Sequence, residues 1–225
     1  MSAPRRAAVV VFAALAAVGC SSVNVKRWRA PDASNRVAAI KTIALMPLLL
    51  AGKRRTEGSH NTVGPRWMAR YAWTSTIAAD QYQPAADVFA VGMKKAFPGR
   101  QVIAADVIDV EMRKLDDRER ASGLDKPATN ARVAAARVAR ATKADAVLVC
   151  ELRDFKARAA GLGESARTSA RADIALYTVD EKQIWRMQAE IVRGPAGSND
   201  APTLTQLMEY STPRLVKEVR AMMGD

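Results

Sequence analysis

The sequence predicts an α/β fold, layered in the α+β manner: a mixed sheet of about five strands with helices packed against it, a closing β-hairpin and a C-terminal helix. Three observations predict it. Two apolar runs, residues 43–50 (IALMPLLL) and 145–152 (DAVLVCEL), have the length and composition of strands buried on both faces. Residues 169–179 and 184–192 alternate on either side of Asp180-Glu181-Lys182-Gln183, as the arms of a hairpin do. Between and after these segments, apolar residues recur at helical spacing, which places helices on the sheet.

Each element follows from local chemistry. Residues 21–38 (SSVNVKRWRAPDASNRVA) are polar and basic and read as an extended tether. In 43–50 the proline at position 47 has no N–H to give a ladder, so pairing is expected to loosen there. Residues 51–64 read as a long basic loop punctuated by glycine, and 65–79 fit a helix or a strand equally. Ala85, Phe89, Met93 and Phe97 mark a helix that Pro98-Gly99 ends. A short strand is expected over 101–105 and a charged helix over 107–121, then a loop to Pro127. Thr129 is placed to cap a helix running to Thr142. In the second hairpin arm Trp185, Met187, Ala189 and Ile191 share one face, and Arg186, Gln188 and Glu190 the other. Thr212-Pro213 reads as a cap with proline in the first turn, followed by the stripe Leu215, Val216, Val219 and Met223.

The chain has 225 residues, of which 49% are hydrophobic and 26% charged, enough apolar surface to offset the entropy of ordering a core. Its 35 Lys+Arg against 23 Asp+Glu give +12, a balance that raises nucleic acid as a partner. One His and two Cys argue against a zinc site or a disulfide framework, and no cofactor or metal is expected.

The amino terminus redirects the reading of that charge. Arg5 and Arg6 precede a twelve-residue apolar stretch, 7–18, too short for a bilayer core that takes roughly 20 helical residues. The following Ala17-Val18-Gly19-Cys20-Ser21-Ser22 resembles the lipobox of bacterial lipoproteins, with Ala17 where that family usually has Leu. The resemblance implies cleavage before Cys20, diacylglycerol on its sulfur, acylation of the new amino terminus and, with Ser21 next, sorting to the periplasmic face of the outer membrane. Residues 1–19 are thus expected as a signal peptide, 20–38 as a lipidated tether and 39–225 as a single periplasmic domain. Several acyl chains would make the anchor effectively permanent. Losing 1–19 removes two cations and leaves about +10 (12 − 2).

A second resemblance covers roughly residues 40–192. Ile43-Ala44-Leu45-Met46-Pro47-Leu48 looks like the first strand of periplasmic domains of several envelope lipoproteins and their kin. These are the curli-secretion lipoprotein, the amino-terminal domain of the Tol-system propeller protein, and activators of penicillin-binding proteins. The segment from Val138 to Val149 resembles their helix-into-strand passage, with Ala144-Asp145 before the apolar run, and Cys150 stands where members often have Gly. Residues 174–180 with Ile184-Trp185 resemble their closing hairpin. The resemblance implies a non-catalytic domain that binds other envelope proteins.

Candidate chemistry is sparse. Cys150, inside an apolar strand, reads as a small core residue, because a reactive thiol needs an electropositive and partly exposed setting. His60 lies in a basic loop without partners at ligand or catalytic spacing. Asp116, Asp117 and Glu119 interleave with Arg113, Lys114, Arg118 and Arg120 as on an exposed, ion-paired helix, and Gly161-Leu162-Gly163 reads as a turn. The remaining signal is Lys53, Arg54 and Arg55 with Arg66, Trp67, Arg70, Tyr71 and Trp73. Cations mixed with aromatics suit single-stranded nucleic acid, but export argues against that partner. They suit anionic headgroups or a protein partner instead, and the aromatics equally suit capping of the core.

The expectation is a non-enzymatic, lipid-anchored envelope protein that contacts another envelope component at the outer membrane. One alternative is a subunit of an oligomeric secretion complex, although residues 154–171 (DFKARAAGLGESARTSAR) are short and charged for a spanning hairpin. A second is a hydrolase of cell-wall polymers.

Overall fold

A computed structural model describes residues 21–50, 79–122, 131–161, 165–195 and 200–224. In chain order these form β1 (Ser22–Arg29), α1 (Ala33–Ala39), β2 (Thr42–Leu45), β3 (Leu49–Leu50), α2 (Ala79–Lys94), β4 (Gln101–Ile103), α3 (Ala105–Ala121), α4 (Ala131–Thr142), β5 (Ala146–Arg158), β6 (Arg167–Thr178), β7 (Gln183–Arg193) and α5 (Leu204–Met223).

All the strands join one mixed sheet in the order β1-β7-β6-β5-β2-β4, with β3 also pairing β5. β2 lies parallel to β4 and β5, whereas β5, β6, β7 and β1 are successively antiparallel. The predicted α/β layering on a mixed sheet is therefore observed, with seven strands among the described residues where about five are expected.

Two cores use the two faces of this sheet. On the first, Leu45, Leu148, Cys150, Ile174, Leu176, Trp185, Met187 and Ile191 pack against α1, α2 and α5 through residues such as Val37, Phe89, Met93, Leu207, Leu215 and Val219. On the second, Ala44, Met46, Val147 and Val149 meet Ile108 and Met112 of α3 and Ala134, Ala135 and Val138 of α4. Alternation along a strand sends neighbours to opposite faces, so β2 from Ile43 and β5 from Ala146 to Cys150 are apolar at every position. That is why both segments stand out as runs in the sequence.

Several expectations are corrected. The stretch expected as a tether is folded: residues 22–29 pair along their full length with β7, from Ser22↔Val192 to Arg29↔Trp185, and 33–39 form α1. Val23 and Val25 point to the first core, but the next inward positions are Arg27 and Arg29, which masks the alternation. Both reach α5, Arg27 to the Glu218 carboxylate and Arg29 to the Ala221 carbonyl.

The carboxy-terminal helix does not begin at Pro213. It starts nine residues earlier at a capping box, in which the Gln206 N–H donates to the Thr203 hydroxyl (3.2 Å) and the Thr203 N–H to the Gln206 side chain (2.9 Å). It then runs through Pro213 because Leu204, Leu207, Met208, Ser211, Leu215, Val219 and Met222 form one buried stripe across it. Burying several such side chains, at roughly 1.5–3 kcal/mol each, outweighs the ~3 kcal/mol cost of an interior proline. α2 likewise begins ahead of the expected residue 85 and contains Pro84.

Asp116 is not on an exposed face. It is 8% exposed and accepts from buried Arg137 of α4 at 3.0 Å, while Glu119 accepts from the same guanidinium at 2.6 Å. The ion pairing expected along this helix holds at its outer face, in Arg113–Asp109 and Lys114–Glu111. The proline in 43–50 acts as anticipated: β2 ends at Leu45, and β3 resumes only at Leu49.

Candidate functional site

The sequence-based candidates Cys20, Lys53, Arg54, Arg55, Arg66, Trp67, Arg70, Tyr71 and Trp73 lie outside the described residues, as do His60, Thr129, Leu162 and Gly163. Cys150 is described and is 1% exposed in the first core. Burial first, then the neighbouring Glu151 and Asp173 carboxylates, push its thiol well above the usual range. A group so placed has neither the thiolate nor the access that nucleophilic chemistry requires. Among the described residues no group of three or more His, Cys, Asp and Glu is placed to hold a metal ion.

What the sheet does present is a half-face that no other described element covers. α3 and α4 cover the second face over β2 and the start of β5, with the partly buried Tyr177 of β6 packed at the margin. Beyond that margin the outward positions of β5, β6, β7 and β1 are polar. They are Glu151 and Arg153, then Arg171 and Asp173, then Arg186, Gln188 and Glu190, then Asn24, Lys26 and Trp28. The other face of β5, β6 and β7 is largely apolar, and that of β1 is so at Val23 and Val25, so these side chains are held in register by the first core beneath them.

Ion pairs cross the strands of this face. Glu151 and Asp173 sit low, their side chains each 9% exposed, with guanidiniums above them. Arg153 contacts Glu151 and reaches Asp173 at 3.2 Å; Arg186 donates to the other Asp173 oxygen at 2.9 Å. Arg171 lies 3.6 Å from Asp154 and 3.7 Å from Glu190. Both buried carboxylates are thus engaged by arginine, the arrangement of a structural charge lattice and not of an acid/base pair open to substrate.

At the β1 side of this face, Lys26, Arg27, Trp28, Gln183, Arg186 and Gln188 line a shallow cavity of about 350 Å³. Trp28 is 49% exposed there, the largest aromatic surface among the described residues. An exposed tryptophan flanked by Arg186 and Lys26 on a rigid sheet can stack on or bury against a partner without ordering a loop first. Sequence reasoning misses Trp28 because its polar, basic segment reads as a tether. The signal that could have found it is the alternation of Val23 and Val25 with Asn24, Lys26 and Trp28.

No family model matches this chain, and no curated protein does. The fold is similar to several solved structures. A PelC dodecamer from Paraburkholderia phytofirmans is 10% identical with a TM-score of 0.44, over 88% of this chain and 98% of that one. Lipoprotein GNA1162 from Neisseria meningitidis is 16% identical with a TM-score of 0.38, over 80% and 98%. The LpoB C-terminal domain from Escherichia coli is 16% identical with a TM-score of 0.30, over 71% and 92%. At these scores the likeness extends to neither an activity nor a partner.

Proposed function

We propose that this protein is a lipid-anchored envelope protein at the periplasmic face of the outer membrane, acting without catalysis as an interaction module for another envelope protein. The observation that carries the reading is Cys20 in its lipobox-like setting, directly behind the apolar stretch 7–18. The described fold adds to it. β1 begins at Ser22, and the Ser21 hydroxyl already accepts from the Gly194 N–H at 3.2 Å, so Cys20 is one residue from the folded domain. An acyl chain there would hold the domain against the bilayer and not on a leash.

The uncovered half-face around Trp28 is the described surface best suited to the partner, since tryptophan and arginine supply most interface hot spots. The test is made in intact cells. Cys20→Ser is expected to move the protein from the membrane fraction to the soluble periplasm, and its retention in the membrane overturns the anchor. A photo-crosslinker at Gln188 is expected to capture one discrete partner, whereas the same group at Val91, on the outer side of α2, is expected to capture none. Equal products at the two positions overturn the assignment of the surface.

A further inference from the structure

The register of the sheet places three cations, unpaired among the described residues, at the end of the sheet where the chain leads back to Cys20. Ser22 pairs Val192, Val192 pairs Ser169, and Ser169 pairs Lys156, so these four residues form one row across β1, β7, β6 and β5. At a spacing of ~4.8 Å per strand, Lys156 lies about 14 Å along the row from Ser22. Two residues further out, Arg158 of β5 and Arg167 of β6 stand directly opposite one another. Two residues is also the separation of Cys20 from Ser22 along the chain.

Lys156, Arg158 and Arg167 are exposed. They contrast with the next arginine toward the sheet centre: Arg171 has Asp154 and Glu190 within 3.7 Å, but no acidic group among the described residues pairs with the outer three. Like charges directly opposite on paired strands destabilise the pairing. Here the pair is tolerated because the root of the hairpin is fixed beneath it, where the buried Thr168 hydroxyl donates to the Pro202 carbonyl. The whole segment 156–167 carries Lys156, Arg158 and Arg167 against Glu164, a net of 3 − 1 = +2. Exposed cations with no acidic partner among the described residues are open to an anion from outside the chain.

We propose that this end of the sheet seats on anionic lipid headgroups, so that Lys156, Arg158 and Arg167 form a second, electrostatic contact beside the acyl anchor and the strands run away from the bilayer. The inference rests on the lipid-anchored reading. It fixes an orientation which that reading alone does not: the turn at Asp180–Lys182 faces away from the membrane, and the half-face around Trp28 stands roughly perpendicular to it. Each basic residue at an anionic surface is worth roughly a fivefold change in occupancy, and the effect is screened by salt.

The experiment uses the full protein purified from envelopes in detergent and returned to vesicles of phosphatidylcholine alone or of equal parts phosphatidylcholine and phosphatidylglycerol. Limited trypsin digestion then reads cleavage after Arg158 and Arg167, with cleavage after Lys182 at the far end as the internal reference. In anionic vesicles the first two cuts are expected to slow at least about fivefold relative to neutral vesicles. The cut at Lys182 stays unchanged, and high salt abolishes the difference. Protein that floats with both vesicles yet is cut at equal relative rates overturns the headgroup contact while leaving the anchor standing. Protein that floats with neither overturns the anchor and this inference together.

Discussion

At the scale of single residues, close packing makes sharp demands. α2 and α5 approach so closely at Gly92 that a Cβ there would lie 2.3 Å from Thr212 Cγ2. Gly92→Ala therefore cannot be the mild helix-favouring change that propensity alone implies. It is expected to destabilise by about 1–3 kcal/mol through overpacking, read as a lower urea midpoint, while a gain in stability would show that the helices slide apart freely. Asp145 shows a residue whose role is invisible in pattern: its carboxylate accepts from the N–H groups of Lys41 and Thr42, both at 2.9 Å, clamping the start of β2 to the start of β5. Asp180 gives a pH signature. Lys182, 2.8 Å away, and the Thr178 hydroxyl hold its carboxyl down from 3.8 to about 2. A depressed folded value means stability that is present above 3.8 and lost as pH falls toward 2. Unfolding at pH 5 and pH 2 is expected to show a smaller acid loss in Asp180→Asn than in the wild type; equal losses would discount the turn.

At the scale of elements, legibility tracked how many faces of an element are buried. β2, β5, α2, α4 and the β6–β7 hairpin were legible because burial imposes an apolar period on each. β1 was not, since it is an edge strand among the described residues, its outward face is polar and its inward face ends in Arg27 and Arg29, both satisfied by a helix 191 and 192 residues away in the chain. α5 was half legible. Its stripe continues unbroken on both sides of Pro213, yet local rules read Thr212-Pro213 as a beginning. The true start is testable: Thr203→Ala removes one half of the capping box and is expected to cost ~1 kcal/mol in urea denaturation, against a negligible change for Thr205→Ala one turn position on. Equal effects would argue that the helix start is set by packing alone.

At the scale of the whole molecule, one continuous sheet serves two cores, so neither can melt without exposing the strands of the other. Leu207→Ala in the first core and Met112→Ala in the second are each expected to cost about 2–5 kcal/mol. Each should also shift a single cooperative transition, seen alike by far-ultraviolet circular dichroism and by tryptophan fluorescence. Two separated transitions would mean that the layers fold independently. The same continuity makes the segment that follows Cys20 part of the sheet and carries Trp28 onto the face that no other described element covers.

The sequence by itself determined the layer architecture, both central strands, the hairpin and the fate of Cys150, because each rests on local periodicity or on a run of apolar residues that water excludes. It also carried the lipobox-like setting of Cys20, which is a linear signal. Only the tertiary structure decided that 22–29 is a strand, that Asp116 is buried against Arg137, that α5 passes through Pro213, and that Arg158 stands opposite Arg167. These depend on pairings between residues far apart in the chain, and strand register, unlike periodicity, is set by the partner and not by the segment itself.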